Sequence, residues 1–264
     1  MDINISHICN TLSLKLLAEY YNSDYTELLS YYDELEKDQN FISELIKRID
    51  KFREHFPRGL FLNRNIKSID WFGNQRITLY VLIRLLKPEI CVETGVFYGG
   101  STAFILNALK KNQKGKLISI DLPADKIKKS ITRHENVGSS EIIPKELQTG
   151  FIIPDYLKEK WELIEDDSHK ALRELKHPFN FFSHDSEHSR NFMIKELEIA
   201  RSQMPENSTI FADDINWSNA FFEFCVNNNL YPLILTDNGK DELKARLGVV
   251  RLDHPNNNKE DITG

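Results

Sequence analysis

Cysteine is scarce in this chain: Cys9, Cys91 and Cys225 are the only three in 264 residues, and they stand far apart in no paired spacing. An odd, scattered set excludes a disulfide framework and a thiolate zinc site, and it points to a reducing compartment. A surplus of basic charge is missing too, since 34 Lys and Arg face 40 Asp and Glu for a net charge of −6. Without a basic stripe, the electrostatic footprint of a nucleic-acid binder is absent. The sequence holds no apolar run of roughly eighteen residues and does not open on basic residues followed by an apolar stretch. Neither a membrane span nor a signal peptide is therefore expected, and the cytoplasm is the expected location. No internal repeat is evident.

Glycine is sparse as well, yet three glycines fall within the stretch Pro88 to Thr102. Ile90, Cys91 and Val92 read as a short buried strand with Glu93 at its carboxyl end; Gly95, Gly99 and Gly100 form a loop that opens onto an amphipathic run from Ser101 to Leu109. Strand, glycine turn and helix in that order place a ligand against the backbone at the carboxyl end of a strand in an open α/β sheet. A dinucleotide fingerprint needs a second glycine two residues after the first, and here that position is Phe97. The Gly-Lys-Ser/Thr ending of a phosphate-binding loop is also missing. A ligand without phosphates fits better, and the acidic Glu93 suits a cationic or amino-bearing one.

The remaining elements follow in order. Leu and Tyr are dense from Thr11 to Leu35, and the apolar residues from Phe41 to Phe52 fall on one helical face, so helices are expected in both stretches. They read either as a cap packed on the main domain or as a dimerisation or substrate-covering element that uses Tyr20, Tyr21, Tyr25, Tyr31 and Tyr32. Ile77 to Leu86 reads as a helix ended by Pro88, and Lys116 to Asp121 as the second strand. An acidic residue at that strand end is where an α/β nucleoside site binds ribose hydroxyls, which makes Asp121 the candidate ribose ligand. The segment from Asp121 to Trp161 reads as a long irregular connection, shortened by a helix around Ala124 to Thr132, and a lid is one reading of it. Arg133, His134 and Lys145 are available there as substrate contacts or as solvated charges. Trp161 to Ile164 is the expected third strand.

A second informative stretch is Pro178 to Arg190, where Phe179, Phe181 and Phe182 form a strand ending in Asp185-Ser-Glu-His188; its companion Thr209 to Ala212 ends in Asp213-Asp214. A helix from Phe192 to Arg201 has the length of a crossover, so the two strands are expected side by side and parallel. Asp185, Asp213 and Asp214 would then share one edge. Three such carboxylates repel one another unless a cation compensates, and an all-oxygen set suits magnesium, calcium or manganese. The alternative is that Asp214 caps a helix from Trp217 to Val226. Tyr231 to Thr236 and Leu247 to Leu252 read as the last strands.

Glu93-Thr-Gly95-Val-Phe-Tyr-Gly99-Gly-Ser101 resembles the first motif of class I S-adenosylmethionine (SAM)-dependent methyltransferases. Together with Asp185-x-x-His188 and Asp213-Asp214, the chain is similar to metal-dependent O-methyltransferases that include sugar-modifying enzymes of antibiotic pathways. That resemblance implies a doubly wound, Rossmann-like α/β sheet, mostly parallel with one antiparallel strand near the C-terminus. It implies SAM bound over Glu93, Gly95, Gly99 and Ser101, with Asp121 on the ribose and Asp167-Ser168 at the adenine. It implies a divalent cation, with Mg2+ as the expected ion, on Asp185, Asp213 and Asp214, and His188 as the base. Asp213 stands where some relatives carry Glu. The expected layout is a helical extension over 1–69, the methyltransferase domain over 70–254 and a polar tail over 255–264. The expected reaction is methyl transfer to a hydroxyl of a small molecule or saccharide, with a homo-oligomer through the N-terminal helices as an open possibility. The rival readings are a metal-dependent hydrolase or hydroxylase-like enzyme on the same fold and a non-catalytic SAM-binding module.

Overall fold

In the computed structural model, residues 5–51, 69–123, 147–238 and 243–252 are described. The helix expected around Ala124 to Thr132, and Arg133, His134 and Lys145, lie outside them. The chain opens with α1 (Ile5–Tyr21), α2 (Tyr25–Glu36) and α3 (Gln39–Lys51), so the stretch read as one helical region is two helices. The break has a local cause. Asn22 takes the left-handed conformation (φ 49°), the Ser23 amide returns to the Ala18 carbonyl, and Asp24 starts α2 by accepting from the Thr26 amide.

A 3₁₀ turn (Ile69–Phe72) precedes α4 (Asn74–Leu86), β1 (Ile90–Thr94), α5 (Gly100–Asn112) and β2 (Lys116–Asp121). A 3₁₀ helix (Asp155–Lys160) leads into β3 (Trp161–Glu165), followed by α6 (Ser168–Glu174), β4 (Phe181–His184), α7 (Arg190–Gln203), β5 (Thr209–Ala212), α8 (Ala220–Asn227), β6 (Leu233–Asn238) and β7 (Leu243–Arg251). The helix expected from Trp217 starts later, at Ala220, because residues 213–219 form turns around the strand end; Asp214 therefore caps no helix. The first strand of the terminal pair starts at Leu233 rather than Tyr231, and its partner starts at Leu243, ahead of the expected Leu247.

The seven strands form one sheet in the order β3-β2-β1-β4-β5-β7-β6, with β1 to β5 parallel and β7 antiparallel to both β5 and β6. Strand periodicity sends alternate residues to opposite faces. Cys91, Phe181, Phe211 and Val249 enter the core shared with α1 to α5, whereas Val92, Phe182, Ile210 and Val250 enter the core under α6, α7 and α8. The N-terminal helices therefore belong to the sheet's own packing. Their tyrosines serve it: Tyr32 donates to Asp70 at 2.7 Å, Tyr20 to the Tyr231 carbonyl at 2.8 Å, and the Tyr21 hydroxyl lies 2.9 Å from that of Thr209.

The chain leaves β1 toward β2 on one side and arrives at β4 on the other, so the order reverses between β1 and β4. Ligands of open α/β sheets bind at the carboxyl end of such a switch point. On β7 one glycine fixes the packing of α8, because a Cβ on Gly248 would lie 2.3 Å from Phe221 Cε1. Gly248→Val is expected to destabilise the chain by about 1–3 kcal/mol through overpacking, read from urea denaturation. Phe221→Leu in the same chain should restore part of that loss, whereas additive losses would show that the two residues do not share this contact.

Candidate active site

Two groups of residues meet at the switch point, the glycine loop after β1 and the carboxylates after β4 and β5. The loop is made by backbone conformation. Gly95 (φ 83°), Phe97 (φ 50°) and Gly99 (φ 93°) all take positive φ, and Gly99 lies so near its neighbours that a Cβ there would be 2.6 Å from Ile153 Cγ1. Asp121, at the end of β2, binds this loop: its Oδ2 accepts the amides of Val96 at 3.0 Å and Phe97 at 2.7 Å. Burial raises the Asp121 carboxyl, and the amides of Phe97, Val96 and Leu122 pull it back. Ser101 sits in the first turn of α5, nearly buried.

Glu93 occupies a deeper place than the crevice mouth. It is 2% exposed on the α5 side of β1, accepts from Ser119 Oγ at 2.5 Å, and Ser119 in turn accepts from Trp161 Nε1 at 2.7 Å. Burial pushes its carboxyl up to about 7, with the Ser119 bond opposing. Asp167 and Ser168 are committed to structure. Asp167 accepts from the Lys170 amide at 3.0 Å and starts α6, and the Ser168 hydroxyl turns inward to Glu196.

Across the switch point, the carbonyl of Asp185 comes so near that a Cβ on Gly95 would lie 1.9 Å from it. The Asp213 amide bonds the His184 carbonyl at 3.0 Å, which draws the ends of β4 and β5 together and puts Asp185, Asp213 and Asp214 on one edge. Burial, and next the charges of Asp213 and Asp214, raise the Asp185 carboxyl well above the usual range, although 31% of the side chain is solvent-accessible; Gln75 donates to its Oδ2 at 3.0 Å. The charge that balances the other two comes from β7. Arg246 Nη2 lies 2.6 Å from Asp214 Oδ1 and 3.7 Å from Asp213 Oδ2. Among the described residues, no three His, Cys, Asp or Glu side chains are drawn together closely enough to hold a metal ion.

His188 is buried beside these groups. Its Nε2 has no hydrogen-bond partner and lies 3.9 Å from Asp185 Oδ1, and its ring is 5.3 Å from that of Trp217, which is 55% exposed. Burial and then the nearby His184 push His188 down to about 3, so its imidazole is neutral near pH 7.

Sequence reasoning missed Glu196, on the far side of the sheet. This fully buried carboxylate accepts from Thr94 Oγ1 at 2.7 Å and from Ser186 Oγ at 3.0 Å, bonds His184 Nδ1 at 2.5 Å, and takes the Ser168 hydroxyl. A signal existed. Glu196 lies within the apolar stripe Met193, Leu197, Ala200 of α7, where a charged residue needs partners. Gln75 and Arg246 were also missed, and neither carries a local pattern.

The comparisons agree with this architecture. The family model described as a methyltransferase domain matches residues 92–215. Among solved structures, the O-methyltransferase TomG from Streptomyces achromogenes, involved in tomaymycin synthesis and in complex with SAM, is similar at TM-score 0.54 and 13% identity over 86% of this chain and 95% of that one. An O-methyltransferase from Bacillus cereus in complex with SAH is similar at TM-score 0.52 and 14% identity over 79% and 90%. The SAH-bound methyltransferase PaMTH1 from Podospora anserina is similar at 0.51 and 13% over 80% and 88%. No curated protein matches the chain.

Two buried carboxylates give opposite pH signatures. Burial would raise Glu196, but the charge and hydrogen bond of His184 and the bonds from Ser168 and Thr94 hold it below its ordinary 4.5. Its contribution is present above pH 4.5 and fades as pH falls through the folded value, so the deficit of Glu196→Ala, about 3–5 kcal/mol at pH 7, should shrink in acid. Glu93 is raised instead, and its share of stability is lost as pH climbs from 4.5 through about 7. Glu93→Gln is therefore expected to gain on wild type between pH 5 and pH 8 by an amount on the order of 3 kcal/mol, measured by denaturant titration at each pH. The glycine loop, the sheet order and the matched segment agree: residues 92–215 are similar to a methyltransferase domain, on a fold shared with solved O-methyltransferase structures.

Proposed function

We propose that this chain transfers the methyl group of SAM to a hydroxyl oxygen of a small molecule, with a saccharide as the preferred acceptor. The observation that carries the reading is the contact of Gly95 with Asp185, which puts the cofactor loop and the acidic and histidine cluster on opposite lips of one crevice. The SAM- and SAH-bound structures that share this fold support the choice of cofactor.

The residues fit that cofactor. The positive-φ glycines leave space against the backbone, and Asp121, whose carboxylate holds the loop through backbone amides, is the proposed acceptor of the ribose hydroxyls. SAM supplies an electrophilic methyl group. The protein's task is then to place an acceptor oxygen in line with it and to remove the acceptor's proton.

His188 is the proposed proton acceptor. Its imidazole is neutral near pH 7, and its buried Nε2 has no hydrogen-bond partner and lies 3.9 Å from Asp185 Oδ1. The half-exposed ring of Trp217 beside it offers a flat apolar face for a sugar or an aromatic acceptor. Asp185, Asp213 and Asp214 offer the oxygen donors that a hard divalent cation such as Mg2+ takes, but they are not drawn together closely enough to hold one and Arg246 already engages two of them, so the residues present do not fit that ion.

Calorimetric titration of SAM, with magnesium and then with chelator, tests the cofactor. Wild type is expected to bind at micromolar strength and Asp121→Ala at least about tenfold more weakly, because the charged hydrogen bonds to ribose and loop are lost together. His188→Ala should keep the cofactor affinity and lose methyl transfer across a panel of sugars and phenols. No SAM binding by wild type under either condition would overturn the reading.

A further inference from the structure

Three partly buried arginines of this chain each meet a carboxylate: Arg48 faces Asp155 at 2.7 Å, Arg84 faces Glu34 at 3.0 Å, and Arg246 faces Asp214 at 2.6 Å. Arg76 is placed differently. It stands in the first turn of α4, partly buried, and its guanidinium donates to two neutral groups, Nη1 to the Phe72 carbonyl and Nη2 to the Tyr98 hydroxyl, both at 2.8 Å. A guanidinium carries more N–H donors than these two bonds use. Among the described residues no carboxylate pairs with it directly, so its charge has no counter-ion there.

Its position is where the two lips of the crevice meet. Gln75, the preceding residue, donates to Asp185 Oδ2 at 3.0 Å, and on the cofactor-loop side a Cβ on Gly100 would lie 2.8 Å from Arg76 Nε. Gly100 therefore makes room for the guanidinium. It also opens α5, a helix that starts with no capping side chain and no acidic residue in its first turn, so the helix end adds positive potential beside the guanidinium. Across Asp185 stands His188, 7% exposed, its Nε2 without a partner and 3.9 Å from Asp185 Oδ1. One crevice thus holds a guanidinium without a counter-ion and an imidazole nitrogen without a hydrogen bond.

We infer that Arg76 receives a carboxylate, and that the acceptor carries it: a hydroxy acid or a uronic acid, held by its carboxylate at Arg76 while its hydroxyl faces His188. The planar fork of a guanidinium matches a carboxylate through paired bonds, and the two neutral contacts that Arg76 already makes hold that fork in place. A neutral sugar would leave the charge unpaired. This inference rests on the methyl-transfer reading above and narrows its acceptor from any saccharide or small molecule to an anionic one.

The test loads the purified full chain with SAH and titrates glucuronate and mandelate against their neutral amides, glucuronamide and mandelamide, by calorimetry. Wild type is expected to bind at least one acid about tenfold or more tightly than its amide, because the amide gives up the charged bonds to the fork. Arg76→Ala should lose that preference, and Arg76→Lys should keep part of it, since an ammonium holds the charge without the fork. Thermal melts accompany each variant, and Arg76→Met, which keeps the stem, takes the place of the alanine variant if the latter unfolds. Wild type that binds neither acid, binds the amides as tightly, or prefers a phosphorylated glucose to glucuronate would overturn the inference, and so would a folded Arg76→Ala that keeps the preference.

The cofactor's amino-acid end is the other source of a carboxylate. Titration of SAH and of methylthioadenosine, which lacks that end, tells the two apart: if Arg76→Ala weakens SAH alone and leaves the acid preference intact, the guanidinium belongs to the cofactor and the acceptor assignment falls. The acids are also titrated without SAH. A preference that depends on Arg76 then upholds the carboxylate site even where no SAH binds, whereas absent SAM and SAH binding sinks the methyltransferase function.

Discussion

A carboxylate with no exposure, Glu196, fastens together the parts of the molecule that the crevice depends on. Its partners come from four places: Thr94 at the end of β1, Ser168 at the start of α6, His184 at the end of β4, and Ser186 in the loop that follows. Burying an ion is costly, and it is tolerated only when its lone pairs are filled by good donors. Here they are filled by residues that must all be in their native places at once. The network therefore rewards one arrangement of the β1 and β4 ends, and that arrangement is the switch point at which Gly95 meets Asp185.

The opposite face of the sheet uses another device for the same purpose. Asp121 holds the glycine loop by two backbone amides, so the residue proposed as the ribose ligand also shapes the turn above it. Glu93 lies below, bonded to Ser119 and shielded from water. Carboxyl groups thus stand on several sides of the crevice, but burial raises those of Glu93 and Asp185, and Arg246 balances Asp213 and Asp214.

Much of this was legible in the residues. The strands Lys116–Asp121 and Thr209–Ala212 have the bounds that their apolar runs indicate, and the loop after β1 falls where its glycines do. The convergence of Asp185 with Asp213 and Asp214 followed from the length of the intervening helix, because a crossover of that size forces parallel neighbours. What was not legible depends on contacts between distant segments. Arg246 acquires its meaning only from the register of β7 on β5, and β7 begins four residues ahead of the apolar run that marks it, at Leu243 rather than Leu247. Gln75 lies on a helix whose apolar pattern says nothing of the polar end near Asp185. Local periodicity reports which face is buried, and it is silent about which polar group waits on the other side. The three carboxylates led to an expected divalent cation, but they are not drawn together closely enough to hold one, and Arg246 supplies positive charge beside Asp213 and Asp214.

The late position of β7 has a consequence for how the crevice comes into being as the chain emerges during synthesis. The cofactor loop and Asp121 are complete by residue 121, the acidic edge by residue 214, and the guanidinium that faces it arrives only at residue 246. The chain emerges from its N-terminal end during translation. A nascent chain ending near β5 therefore carries its negative edge without the internal counter-charge, and the closing hairpin supplies that charge in the same step that seals the open side of β5.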